Sequence, residues 1–257
     1  MGNQGLIGQN PAAPPYRNGP YTWDQALLLE KPVVEGSKRF VLTEEFAQRP
    51  MLNASVGVVA NLNFEILGTN AAEADVTWGA TVGALELETA GADNDQVYVC
   101  PHLDSLQTAW AEVLWGTENQ VIWEATIMTS AAITTILLWA GLKLTYDPVI
   151  ATDDDQVFFR FSTDDGDTTW HIIDSIAGTD VNTTTTVTVA ANTIYYFRIE
   201  IDASRKAHFF INNEEVYVSG ALTNDVSLIP YVGVQALSAA ARFLNLAKEK
   251  ISRSVFE

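Results

Sequence analysis

The chain has 257 residues, 47% of them hydrophobic, which is enough to bury a sizeable core, and all-β folds of this length often form one domain. Its formal net charge is -18, from 14 Lys and Arg against 32 Asp and Glu, so the surface repels phosphate backbones and argues against DNA or RNA as a partner. Cys100 is the single cysteine, which allows no internal disulfide and no multi-cysteine zinc site, and its apolar context Val-Tyr-Val-Cys reads as a buried, inert thiol.

The N-terminal stretch GQNPAAPPYRNGPYTWDQ carries Pro11, Pro14, Pro15 and Pro20. Proline fixes φ and pushes the preceding residue into an extended conformation, so no long helix forms there. Tyr16, Arg17, Tyr21 and Trp23 are interleaved with the prolines. A disordered tail is usually poorer in aromatics, so this stretch is expected to be an extended arm that packs on its own domain, a sister subunit or a partner, against the alternative of a floppy terminus. The start lacks the basic and apolar regions of a secretory signal, and Leu6 stands where a myristoylation signal has Ser or Thr. Residues 23–50 leave room for a short helix, because Thr43-Glu44-Glu45-Phe46 has the pattern of a capped helix start, with carboxylates in its first turn. The arm is placed at residues 1–53 and the body at 54–257.

From about Ala54 the pattern is that of strands, with Val, Ile, Thr, Phe, Tyr and Trp in short runs divided by Gly, Asn and Asp. The expected strands are 62–67, 85–89, 96–99, 121–128, 135–145, 156–162, 168–173, 183–190, 194–202, 206–212, 214–218, 230–237 and 241–253. In 194–202, Tyr195, Phe197, Ile199 and Ile201 share one face, and Tyr196, Arg198, Glu200 and Asp202 the other. Asp164-Asp165-Gly166-Asp167 and Asn212-Asn213 supply the turns, since Asn and Asp tolerate φ > 0. The longest apolar run, Ala131 to Leu142, is too short to span a bilayer, so no membrane is expected. Strands at near-regular spacing without alternating helices predict an all-β fold of two stacked antiparallel sheets, a β-sandwich with an extended N-terminal arm.

Acidic stretches, histidines and tryptophans are the candidate sites. Asp153-Asp154-Asp155 and Asp164-Asp165-Asp167 are oxygen-rich, and Asp153 and Asp155 are the weak candidates for a calcium ion, against the reading of both stretches as solvated turns. His102, His171 and His208 are isolated, and no Gly-x-Ser-x-Gly or phosphate-cradling glycine loop is present. Trp110, Trp115, Trp123 and Trp139 sit among apolar strand residues and are expected in the core, which leaves Trp78 or Trp170 as a stacking platform for a sugar ring.

The run ANTIYYFRIEIDASRKAHFFINNEEVY, followed by LIPYVGVQA and LNLAKEKISRS, resembles the C-terminal half of concanavalin A-like, laminin-G-like jelly rolls. LELETAGADNDQVYVCP and FRFSTDDGDTTWHII look like earlier strands of the same sandwich, so the resemblance covers residues 55–257. In style the chain is most similar to capsid decoration, or cement, proteins of tailed bacteriophages, with Thr- and Ala-rich strands, an acidic surface and a proline-rich arm. Laminarinase-like glycosidases of this fold carry a Glu-x-Asp-x-x-Glu strand, and retaining hydrolysis needs two carboxyl groups about 5 Å apart. Here Glu200-Ile201-Asp202 is followed by Ala203-Ser204-Arg205, so the second carboxylate of that scheme is missing and no catalytic residue or cofactor is expected.

The resemblance implies a non-enzymatic virion protein, made in the host cytoplasm, that oligomerises and binds the outer surface of the major capsid protein through Tyr16, Arg17, Tyr21 and Trp23. The alternative is a carbohydrate-binding module of a phage fibre or surface protein. A glycosidase would need its second carboxylate from elsewhere in the chain.

Overall fold

A computed structural model describes residues 39–46, 49–52, 63–79, 83–101, 110, 113–145 and 153–255. Seventeen strands make up almost all of its regular structure: β1 (Arg39–Glu44), β2 (Met51–Leu52), β3 (Phe64–Leu67), β4 (Val76–Gly79), β5 (Ala84–Glu88), β6 (Gln96–Pro101), β7 (Trp115–Gly116), β8 (Ile122–Thr129), β9 (Ile136–Lys143), β10 (Gln156–Ser162), β11 (Thr169–Ile176), β12 (Thr179–Thr188), β13 (Ile194–Ile201), β14 (Lys206–Ile211), β15 (Glu214–Ala221), β16 (Ser227–Ala236) and β17 (Phe243–Ser254). An eight-stranded sheet has the order β15-β14-β13-β8-β17-β5-β4, with β1 also paired to β17. A nine-stranded sheet has the order β12-β11-β10-β9-β16-β6-β3-β2, with β7 paired to β16. The registered pairs are antiparallel except β2 with β3.

The two sheets form a jelly-roll sandwich, within the compact unit Leu42–Arg253. Residues 39–41 and 254–255 fall outside that unit.

The alternation read in 194–202 holds. Tyr195, Phe197, Ile199 and Ile201 are buried, and Tyr196 is exposed between them. The Phe197 ring stacks on Phe159 of the other sheet at a centroid distance of 4.2 Å, and Phe209 meets Phe159 edge-on at 5.5 Å. Trp170 closes this cluster against Tyr195 and Phe197. Such ring pairs add to plain area burial and join the two layers. Both central residues of the β14–β15 turn have positive φ, 53° at Asn212 and 70° at Asn213, the geometry of a tight hairpin.

One sequence expectation is corrected. Thr43 and Glu44 do not open a helix but end β1, because Arg39 to Glu44 pair into a sheet and tertiary pairing overrides a local capping pattern. The nine-stranded sheet is buried on its outer face as well. All seven residues of β10 are buried, and Tyr98, Cys100, Trp139, Phe158, Ile173 and Tyr231 form a second cluster on the face opposite the sandwich core. Gly141 and Gly233 make room for it: a Cβ at Gly141 would sit 2.4 Å from the Phe158 Cβ, and one at Gly233 would sit 2.5 Å from the Tyr98 Cβ.

Candidate functional site

Charged and aromatic side chains gather on the outer face of the eight-stranded sheet. Alternation sends Glu124 and Thr126 of β8 outward because Trp123, Ala125 and Ile127 take the core positions, and it sends Tyr196, Arg198 and Glu200 of β13 outward for the same reason. In β17 the phase changes partway. Leu244 and Leu246 face inward, the register against β8 shifts between Leu246 and Lys248, and from there Glu249 and Ile251 face inward. A β-bulge at Ala247 therefore re-aims the second half of the strand and turns Lys248 and Lys250 outward.

Cross-strand registers set these side chains in rows. One row runs through Lys250, Glu124, Arg198 and Phe210. The next runs through Lys248, Thr126 and Tyr196 and ends at the Asn212-Asn213 turn, where the Tyr196 N–H donates to Asn212 Oδ1 at 3.1 Å. A cavity of about 340 Å³ lies along the two rows, walled by Glu124, Thr126, Tyr196, Arg198, Asn213, Lys248 and Lys250.

The cations are held by carboxylates. Lys250 Nζ donates to Glu124 Oε2, Lys248 Nζ lies 3.1 Å from Glu45 Oε1, and Arg198 Nε lies 3.2 Å from Glu200 Oε1. Exposed pairs of this kind contribute little to stability, but they restrict where the side chains point. The Arg198 guanidinium also lies over the Phe210 ring, 4.1 Å from its centroid. Its Nε is buried and has no hydrogen-bond acceptor, in spite of the nearby Glu200. Tyr196 is 53% exposed.

Beside the rows, His208 stands between two carboxylates, with Nδ1 at 3.1 Å from Glu215 and Nε2 at 3.4 Å from Asp202. Partial burial pulls the imidazole pKa down, but the two hydrogen-bonded carboxylates outweigh it and hold it above the usual histidine range. For Asp202 partial burial pushes upward, and hydrogen bonds from the Lys206 N–H, His208 and the Ser204 N–H outweigh it, so its pKa is lowered. Beneath this face, on the core side of β17, burial pushes the Glu249 carboxyl up to about 8, with Glu44 adding to the rise and the Trp123 Nε1–H bond at 2.6 Å opposing it.

The expected site residues fare differently. Tyr16, Arg17, Tyr21 and Trp23 lie outside the described residues, as does His102. Asp153 and Asp155 are not solvated but buried. Asp153 sits 3.2 Å from Lys143 Nζ and accepts from the Thr145 N–H and hydroxyl, while Asp155 accepts from the Thr223 N–H. A carboxylate pair absorbed in this way is a structural tie, and among the described residues no three of His, Cys, Asp and Glu converge as metal ligands. Asp167 is likewise buried, bound by Arg160 and the Ser162 N–H. His171 bonds Asn182 at 2.7 Å and lies 3.2 Å from Asp167. Trp110, Trp115, Trp123 and Trp139 are buried as expected, and Cys100 is buried with its thiol pKa pushed well up by that burial. Trp170 is wholly buried and offers no platform, whereas Trp78 is 49% exposed on β4. Sequence reasoning placed Tyr196, Arg198 and Glu200 on one face but missed Glu124, Phe210, Lys248 and Lys250, although the alternation of β8 around Trp123 already pointed Glu124 outward.

No protein-family model matches the chain, and no curated protein matches it in sequence. Solved structures do. A Bacillus licheniformis β-glucanase is similar at 9% identity and a TM-score of 0.54, over 82% of this chain and 97% of that one. A glycosyl hydrolase family protein from Mycobacterium fortuitum is similar at 7% identity and a TM-score of 0.55, over 82% of this chain and 98% of that one. The carbohydrate recognition domain of Emp46p is similar at 9% identity and a TM-score of 0.51, over 82% of this chain and 97% of that one. At these identities the likeness establishes the fold, that of the concanavalin A-like jelly rolls, whose members here include carbohydrate-binding and glycosidase-like proteins. The expectation of a chain without bond-breaking chemistry is corrected accordingly: this architecture is one that enzymes use. Arg205 in place of a glutamate speaks only to one catalytic scheme.

Proposed function

We propose that the protein binds a saccharide in the groove formed by β8, β13 and β17. The observation that carries this reading is Tyr196, an exposed ring at the side of a cavity whose other walls include four charged side chains already held in place. An aromatic face stacks on the apolar face of a sugar ring, and a few fixed polar groups then set its orientation. The solved neighbours support the reading in kind, since they include a β-glucanase and a carbohydrate recognition domain. Glycoside cleavage requires two carboxyl groups flanking the bond. Glu124 and Glu200 stand on adjacent strands, one opposite Arg198 and one two residues beyond it, so retention and hydrolysis are both properties to measure.

The test is a glycan array of the intact protein, followed by calorimetry and a reducing-end assay on the glycans retained. Tyr196→Ala is expected to lose binding while its melting temperature stays that of the parent chain. Retention of glycans undiminished by Tyr196→Ala would place the site elsewhere and end the proposal.

A further inference from the structure

Resting on the saccharide reading, we infer that the ligand is an uncharged oligosaccharide lying across the strands rather than a uronate, sulfated or phosphorylated glycan. The chain is strongly acidic, yet Arg198, Lys248 and Lys250 meet in this groove, which at first sight suggests an anion site. The pairing argues otherwise. Lys250 is matched by Glu124, Lys248 by Glu45 and Arg198 by Glu200, so these three cations face three carboxylates and no local excess of positive charge remains. An incoming carboxylate or sulfate would gain no attraction from balanced pairs, and it would enter the field of a chain with a net charge of -18.

The same groups suit hydroxyls. A hydroxyl both donates and accepts, whereas an ionised carboxylate only accepts. Along the groove, donors and acceptors alternate: Lys250, then Glu124, then Arg198 in one row, and Lys248, then Thr126, in the next, with the Asn213 amide at the end. The Arg198 guanidinium is held flat against Phe210 while its side chain stays 31% exposed, so its outer N–H groups can donate to a sugar oxygen. The rows cross from β17 through β8 and β13 to the β14–β15 turn, three inter-strand steps or about 14 Å, which is roughly two to three linked sugar rings. Tyr196 stands near the turn end of this path, where it would carry one ring by stacking.

The experiment measures binding of the intact protein, by calorimetry, to neutral hexose trisaccharides of differing linkage and to the corresponding uronic acid trisaccharides, at low and high sodium chloride. A neutral trisaccharide is expected to bind with an affinity that salt changes by less than about twofold. Its monosaccharide should bind at least tenfold more weakly, and Tyr196→Ala and Arg198→Ala should each weaken it tenfold or more. Circular dichroism of both variants checks that the sandwich is intact. If a uronic acid trisaccharide binds more tightly and salt weakens it several-fold, the saccharide reading stands and the neutral-ligand inference is overturned. Failure of both sets to bind removes the saccharide reading and the inference with it.

Discussion

The outer faces of the two sheets are opposites. That of the nine-stranded sheet is dry: Cys100, Trp139, Phe158 and Tyr231 are almost fully buried, and the cation among them, Lys143, is buried with Asp153 and Gln156 as its partners. That of the eight-stranded sheet is wet, and its cations sit in partly exposed pairs under an exposed tyrosine. A side chain on the dry face is fixed by packing on all sides, and one on the wet face mainly by its charge partner. The dry face therefore holds the fold, and the wet face is free to change its contacts when a ligand arrives.

The largest effect expected lies beneath the wet face and is set by pH. The folded-state pKa of Glu249, about 8, is raised above the ordinary 4.5, so its contribution to stability is fully present below pH 4.5 and is lost as pH rises to about 8. The size of that loss is up to about 5 kcal/mol. Glu249→Gln should remove most of this dependence and make the chain more stable than the parent at pH 8.5 in urea titrations. An unchanged pH profile in the variant would show that the carboxyl is not held protonated in the core.

Next comes the contrast between faces. Trp139→Ala should cost about 3–5 kcal/mol in the same titrations. Tyr196→Ala should stay within about 0.5 kcal/mol. Comparable losses from the two would dissolve the distinction.

The smallest effect belongs to His208. Its raised pKa means that its contribution is present below pH 6.5 and is lost as pH rises through the folded value, while the lowered pKa of Asp202 means that its share is lost as pH falls below the ordinary carboxylate range. The pair thus stabilises only between those limits, and as a part-exposed pair by no more than about 1 kcal/mol. His208→Gln should flatten that window, as read by melting temperature across pH 4–8.

Much of the fold was legible, for reasons that differ along the chain. In β13 one face is core and the other water, so period-2 alternation is written plainly in Tyr195 to Asp202. The run Gln156 to Ser162 is buried at every position, so it shows β-forming residues but no alternation, and nothing in it distinguishes core from covered outer face. In β1 the cue was misleading, because Thr43-Glu44-Glu45 satisfies a helix start locally while pairing with β17 decides the outcome. The carboxylates of Asp153 and Asp167 look solvated in an acidic stretch because their partners, Lys143 and Arg160, are supplied by strands that only the fold brings alongside. Half of the groove was legible on the same terms, since Tyr196, Arg198 and Glu200 follow from β13 alone. The other half depends on register, which no single strand reveals.

The extra residue at Ala247 has a consequence for recognising this groove in other chains. Counting by twos from Leu244 assigns Lys248 and Lys250 to the interior and Glu249 to the surface, the reverse of where they lie. Deleting Ala247 alone would join Leu246 to Lys248 in unbroken alternation and leave Lys248 and Lys250 outward and Glu249 inward, so a relative that lacks this one residue should keep both lysines and show in plain period-2 spacing the groove that is masked here.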